Sequence, residues 1–342
     1  MFLFIGIDFS KEKFDACAIC ADGVSVKAEE GHESFKNSKR GFHSLLAWAE
    51  KLCDKHHVDE LLFCGENTGD YCRKAADYIY GKGYDLWLAN PLAIKRNNPM
   101  QRQKTDKTDA KMIAEYAMRH YDQRKLYESP SKAMSNLREL YLYRNYLVNL
   151  RKSVLVRDGE KHYTLDCSKA KSMNSQDSRT LLKVLDKLIS KRDDAIMEVI
   201  KSDEELRENF VILKSVPGIG MLTAVCLIIY TDNFKQFDYD ARRLACYFGV
   251  APFKKESGTS VNGKPHVSHL CNHRLKAALH EAALTASRCN KPLKAYYDRL
   301  LANGKPKPLA LNNLKSKMLH LVMALVKNKT MFDENYRSPL SA

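Results

Sequence analysis

FLFIGIDFSKEKFDACAIC, residues 2–20, decides how the front of this chain is read. Two apolar runs, FLFIGID and FDACAIC, flank a short polar turn, and VSVKA (24–28) follows as a third run. Such short runs between polar breaks predict three strands joined by tight turns. Working outward, the spacing predicts a helix over 39–53, with Leu45, Leu46, Ala49 and Leu52 on one face. ELLFCGE (60–66) reads as a buried strand that ends in an acid. A helix over 70–81, a strand over DLWLAN (85–90) and a helix over 106–119 follow. Three strands followed by alternating helices and strands imply a mixed α/β sheet with helices on its faces.

The pattern changes at Ser129-Pro130. Leu140, Tyr143, Leu147, Leu150 and Val154 keep a heptad-like spacing, and so do Leu181, Leu185, Leu188, Ala195 and Val199. Between them DGEKHYTLDCSKAKSMNSQDS (158–178) is polar and reads as a loop. Residues 129–208 therefore predict a coiled-coil arm of two helices, with Arg192 on the apolar seam of the second. Such an arm serves assembly or spaces two domains. From Phe210 onward the chain reads as helical and increasingly basic. Three domains result, 1–128, 129–208 and 209–342: α/β first, then all-α.

The length of 342 residues gives room for two or three cores, and an apolar share of 44% with sparse Gly and Pro marks a globular chain. Residues 250–342 hold sixteen Lys and Arg against five Asp and Glu, and so supply +11 of the net +15. A surplus concentrated in one domain points to nucleic acid or an anionic surface as partner. The longest apolar stretch, LTAVCLIIY (222–230), falls far short of the ~18–20 residues a membrane span needs. MFLFIGID meets Asp8 too early, and lacks the basic start, for a signal peptide. Ten cysteines without a disulfide-like rhythm fit a reducing cytoplasm. These features argue against membrane and secreted classes.

KTDKTDAK (104–111) brings Asp106 and Asp109 into a run of lysines. At i and i+3 the two share a helix face. Asp8 closes the first strand and Glu66 a later one, so four carboxylates from three elements can converge. Hard oxygen ligands of this kind suit Mg²⁺ or Mn²⁺. Two such ions about 3.5–4 Å apart stabilise both the attacking and leaving oxygens of phosphoryl transfer. Lys104 and Lys107 then hold the phosphate backbone. The same residues also read as a helix N-cap at Asp106 with ordinary surface acids around it.

SVPGIGMLTAVCLI (215–228) has the form of a helix-hairpin-helix. Pro217, Gly218 and Gly220 make a turn whose backbone N–H groups can meet a phosphate beside a helix N-terminus. Such contacts position nucleic acid without reading its sequence. An ordinary helical turn is the plainer reading. Farther on, YFGVAPFKKESGTSVNGK (247–264) reads as a basic loop offering Ser257 and Ser260, with Lys254 and Lys255 beside them. A serine there either forms a turn or attacks a phosphodiester, storing its energy in a phosphoserine link. His266, His269, Cys271 and His273 are too crowded for a structural zinc site. Cys17 and Cys20, three apart on a strand, point to opposite faces and read as core thiols. Tyr296 and Tyr297 read as core packing.

IGIDFSKEKFD, GENTG and KTDKTDA, in that order, resemble the N-terminal domain of the DEDD-type insertion-sequence transposases, also described as bridge-RNA-guided recombinases. LKSVPGIG, FGVAP, ESG, LCNHRLKAAL and YYDRLLANGKPK resemble the C-terminal transposase domain of that family over 210–332. The resemblance implies an RNase H-like first domain similar to the RuvC junction resolvase, with Asp8, Glu66, Asp106 and Asp109 as metal-binding acids. It implies Ser257 as nucleophile, although Thr259 stands where many members have glycine, which leaves Ser260 as an alternative. It places HLCNHRLKAAL, with Arg274, at a helix start near phosphate. It further implies donor and target DNA, a noncoding guide RNA, and a dimer or tetramer in which one subunit's acids face another's serine. Localisation follows as the bacterial cytoplasm, at the nucleoid. The rival functions are a metal-dependent junction endonuclease using water, a catalytically silent nucleic-acid scaffold, and an actin-like ATPase suggested by IGIDFSK alone.

Overall fold

The structure, a computed structural model, describes residues 1–22, 25–97, 105–159, 168–257 and 261–335. The chain forms two compact units, 1–129 and 130–342. In the first, β1 (Phe2–Phe9), β2 (Lys13–Asp22) and β3 (Ser25–Lys36) form an antiparallel meander. After α1 (Lys39–His56), β4 (Glu60–Glu66) joins the other side of β1 in parallel; α2 (Asp70–Gly81) and β5 (Asp85–Ala89) follow. The sheet order is β3-β2-β1-β4-β5. α3 (Pro91–Asn97) and α4 (Asp106–Arg119) complete the unit. The mixed α/β sheet expected from the sequence is present, and β4, α2 and α4 have the expected limits. The third strand runs to Lys36, well past the VSVKA run, because its second half is too polar to stand out by hydropathy.

Period-2 alternation divides β1 between two cores. Leu3, Ile5, Ile7 and Phe9 pack under α1 and α2, with Leu45, Leu46 and Ala49 among their neighbours. Phe4 joins Leu62, Cys64 and Trp87 under α4, against Ile113, Ala114 and Ala117. Gly6 lies on the α4 side. A Cβ there would sit 2.2 Å from the Ala110 carbonyl oxygen and 2.3 Å from the Ala114 nitrogen. The helix thus crosses β1 in backbone contact. Gly6→Ala is expected to destabilise the first unit by about 3 kcal/mol, because backbone atoms cannot yield as a side chain does. A fall in the urea midpoint of that unit checks this; an unchanged midpoint would refute the close crossing.

The second unit is built on α5 (Lys132–Gly159), α6 (Ser168–Ser202), α7 (Glu204–Ser215), α8 (Met221–Tyr230) and α9 (Ala241–Tyr247). A hairpin of β6 (Pro252–Ser257) and β7 (Val261–Val267) follows, then α10 (His273–Cys289), α11 (Lys291–Ala302) and α12 (Lys307–Asn328). α5 and α6 pack as a hairpin arm whose base shares the core of the unit: Met134, Leu137 and Tyr141 join Ile196 and Ile200 there. Arg192 lies over the Tyr143 ring at 5.5 Å, and Arg144 makes a two-point ion pair with Asp193, so polar groups interrupt the seam.

Two expected loops are corrected. α6 begins at Ser168, inside the expected loop 158–178, because that segment is polar but has no Pro or Gly from 168 onward to break a helix. The expected loop 247–264 is largely the β6–β7 hairpin. Its strands are short and carry lysines, so no apolar alternation announces them.

Candidate active site

Asp8 follows Phe4 and Gly6 on the α4-facing side of β1. Glu66 follows Leu62 and Cys64 on the same side of β4. Because Ile7 lies opposite Gly65 in the parallel pair, both carboxylates leave the same ends of adjacent strands. α4 begins over that end. Thr105, not Asp106, caps it: the Thr105 hydroxyl accepts from the Thr108 N–H at 3.3 Å, and the Thr105 N–H donates back to the Thr108 hydroxyl at 3.0 Å. The N-cap reading of Asp106 is therefore corrected, and Asp106 and Asp109 occupy the first helical turn, where the helix dipole favours negative charge.

Three of the acids act on the fourth. Asp8 is raised from 3.8 to about 6, by burial first and then by Asp109, Glu66, Asp106 and Asp15 in that order. Carboxylates raise a neighbour's pKa by their charge, so Asp8 feels the other three acids, although among the described residues their donor atoms are not gathered within 4.8 Å as those of a closed ligand set are. Lys13 stands in as a cation at this cluster, its Nζ 2.9 Å from Asp106 Oδ2 and 3.2 Å from Asp15 Oδ2. An all-oxygen donor set that raises the pKa of one of its own acids and draws in an ammonium fits a hard divalent cation.

Asp15 and Lys13 were not singled out by the sequence reading. Asp15 is 5% exposed, lies directly across from Asp8 in the β1–β2 pair, and meets Lys13 and His32 Nε2, the latter at 3.3 Å. The signal was present: Asp8 and Asp15 flank the polar turn symmetrically, so a tight hairpin must face them. Lys107 is exposed on the first turn of α4, and Lys104 lies outside the described residues.

In the second unit, Ser257 is the last residue of β6 and pairs with Val261; its side chain, and Gly258, Thr259 and Ser260, lie outside what is described. Lys254 is exposed on the same strand, and the Lys255 side chain is not described. Arg274 sits in the first turn of α10, which Asn272 caps, with Nη1 3.4 Å from the Tyr230 hydroxyl. The turn 216–220 joins α7 to α8. Pro217 offers its carbonyl to the Asn290 side chain at 3.3 Å, and Gly218, at φ 110°, leaves no room for a Cβ against Ala282 and Ala286. Gly220, at the N-cap of α8, is exposed with open space around it. The two glycines thus differ: Gly218 serves packing, while Gly220 leaves a helix N-terminus uncovered. Gly218→Ala is expected to lower Tm by at least about 4 °C, whereas Gly220→Ala leaves Tm within about 1 °C. Equal effects on melting would contradict this division.

The crowded histidines form no ligand set among the described residues, and Cys271 packs against Gly249. Cys17 and Cys20 are both buried, and Tyr296 and Tyr297 pack against the core. Among the described residues, no helix is long and apolar enough to cross a membrane.

Two family models match the chain. One, a transposase model of the DEDD IS110 type, matches residues 5–157; the other, described as transposase IS116/IS110/IS902 family, matches 211–298. The pilin gene-inverting protein of Moraxella bovis is 26% identical over 334 residues, which cover 97% of this chain and 98% of that protein. The transposase for insertion sequence element IS1111A of Coxiella burnetii is 25% identical over 321 residues, 86% of this chain and 83% of that one. Among solved structures, T. thermophilus RuvC in complex with Holliday junction substrate matches at a TM-score of 0.28 and 9% identity, over 37% of this chain and 100% of that one. With one model on each of the two units and relatives that run nearly end to end, this chain belongs to the IS110/IS116/IS902 family of transposases.

Proposed function

We propose that this transposase cuts and rejoins DNA strands through a phosphoserine intermediate on Ser257, aided by Mg²⁺ or Mn²⁺ at Asp8, Glu66, Asp106 and Asp109. The observation that carries the metal half is the raised Asp8 pKa, with Asp109, Glu66 and Asp106 as the charges behind it after burial. The strand order β3-β2-β1-β4-β5, an antiparallel meander extended by two parallel strands, supports an RNase H-like reading of the first unit. When bound, the metal polarises the scissile phosphate and steadies the leaving oxygen.

The chain's own residues do the rest. Asp106 and Asp109 are held rigidly by the Thr105–Thr108 cap and by the crossing at Gly6, so the acids are in place before DNA arrives. Lys13 balances the charge of Asp106 and Asp15, and with a cation held by the acids its ammonium would be available to a phosphate. In the second unit, Ser257 Oγ bonds to phosphorus as the strand's own P–O bond breaks. Its proton passes to water, and the freed strand end takes one up as a hydroxyl. In the return step a strand hydroxyl attacks the phosphoserine, joins DNA to DNA and restores the serine. No external energy is needed, because one phosphodiester is exchanged for another. Lys104, Lys107, Lys254, Lys255, Arg274 and Gly220 hold the phosphate backbone, with Pro217 and Gly218 shaping the turn that presents Gly220.

The partners are donor and target DNA, and a noncoding RNA of the same element that guides the choice between them, in the cytoplasm at the nucleoid. The excess of +11 over residues 250–342 supports a polyanion partner. Assembly as a dimer or tetramer is supported by exposed apolar residues along the arm, among them Tyr146, Val156, Leu181 and Val184. In such an assembly the acids and the serine acting on one strand come from different subunits. The relative that inverts a pilin gene is consistent with rejoining as well as cutting. The test is cleavage of labelled DNA bearing the element junction, by purified protein with RNA transcribed from the flanking element. Chelation of Mg²⁺ and digestion of the RNA are each expected to abolish cleavage. Cleavage that survives chelation would overturn the metal role, and cleavage that survives digestion would overturn guidance.

A further inference from the structure

β3 is irregular where it borders α1. Ala18 pairs with Gly31 and Ile19 with Glu29, so Glu30 is the extra residue of a β-bulge with no opposite number on β2. Bulges re-aim side chains, and Glu30 turns toward the last turn of α1. Its Oε2 lies 2.7 Å from His56 Nε2 and 3.2 Å from Lys55 Nζ. Cys20, on the side of β2 that packs under α1, completes a set. One donor atom each from Cys20, Glu30 and His56 lies within 4.8 Å of the other two. His56 Nε2 is buried, yet it makes no aligned hydrogen bond despite its closeness to the carboxylate. Ring nitrogen and carboxylate are close without being aimed at each other, which is how two ligands of one ion stand.

We propose that Cys20, Glu30 and His56 bind one Zn²⁺, at a site distinct from the acid cluster of Asp8, and that the ion clamps the end of α1 to β2 and β3. A thiolate, an imidazole and a carboxylate are the donors that zinc accepts together in four-coordinate sites. Mg²⁺ takes oxygen ligands and is not held by such a set. The two sites therefore select different ions. They also lie on opposite faces of the sheet, since Cys20 belongs to the core under α1, and Asp8 follows Phe4 on the side under α4. Binding displaces the Cys20 thiol proton to solvent and moves the Lys55 ammonium, whose side chain is 63% exposed, off Glu30. Water fills the fourth position. Cys53 is the protein alternative there: it is three residues before His56 on the same helix face, and close enough to Cys20 to be influenced by it.

The experiment titrates the full-length, metal-stripped protein with Co²⁺ in place of Zn²⁺ and follows the thiolate-to-cobalt charge-transfer band in the near ultraviolet. The band is expected to saturate at one equivalent, to be displaced by Zn²⁺ and to persist in Asp8→Asn. Cys20→Ser removes it, and His56→Gln weakens binding by more than the roughly 10–100-fold that loss of an outer-shell partner costs. Cys20 lies in the core, so Glu30→Gln and His56→Gln, at partly exposed positions, carry the test if Cys20→Ser does not fold. Absence of the band overturns the proposal. So does a band that survives both Glu30→Gln and His56→Gln at unchanged affinity.

Discussion

Asp8→Asn is expected to abolish strand cleavage while making the metal-free protein more stable. Cleavage falls by about 10²–10³-fold or more, the scale on which one electrostatic group aimed at a transition state acts. Stability moves the other way because Asp8 is costly when ionised. Burial first, and then Asp109, Glu66 and Asp106, raise it from 3.8 to about 6 in the folded state. Between those values the folded chain holds a proton that the unfolded chain has lost, so stability from this group is full below 3.8 and lost as pH rises through about 6. The Asn variant never carries the charge. Its Tm should exceed that of wild type by about 2–4 °C at neutral pH, and the two should converge on acidification towards 3.8. Added Mg²⁺ should raise the wild-type Tm and leave the variant nearly unmoved, since a ligand stabilises only the state that binds it. An Asn variant less stable than wild type at neutral pH without metal would contradict the clustering of the acids.

Ser257→Ala is expected to remove the covalent protein–DNA species and to lower strand exchange by about 10⁴-fold or more, as loss of a nucleophile does. Ser260→Ala should retain both. The two serines flank the Gly258-Thr259 step, and Ser257 closes β6 opposite Val261. Melting should not change in either variant, because no described residue of that hairpin belongs to the core of its unit. An adduct lost in Ser260→Ala and kept in Ser257→Ala would move the nucleophile to Ser260.

What was legible in the sequence follows from how each element declares itself. β4 was found to the residue because ELLFCGE is apolar up to its acid; α4 was found with the right limits although its cap was placed on Asp106, since the Thr105–Thr108 box was not read. Glu66 and Asp109 were found with them. Asp15 was hidden by its type: an acid inside a strand looks like an exposed residue, and only the register opposite Asp8 shows that it is buried. Glu30 was hidden for a similar reason, since a bulge leaves no mark in a polar strand. Gly6 announced nothing either. Its reason is the backbone of a helix about a hundred residues later in the chain, and no local pattern contains that. The first turns of α6 were missed because polarity was read as loop, although a polar stretch free of Gly and Pro is equally an exposed helix.

In the proposed mechanism the acids of the first unit and the serine of the second act in one reaction. The most direct measurement incubates the protein, its RNA, Mg²⁺ and end-labelled junction DNA, denatures the mixture, and asks whether label stays on the protein. It compares wild type with Ser257→Ala and Asp106→Ala. The expected result is an adduct in wild type that is missing from both variants. Cleavage without any adduct, persisting in Ser257→Ala, would rule out the serine intermediate and leave a nuclease that uses water.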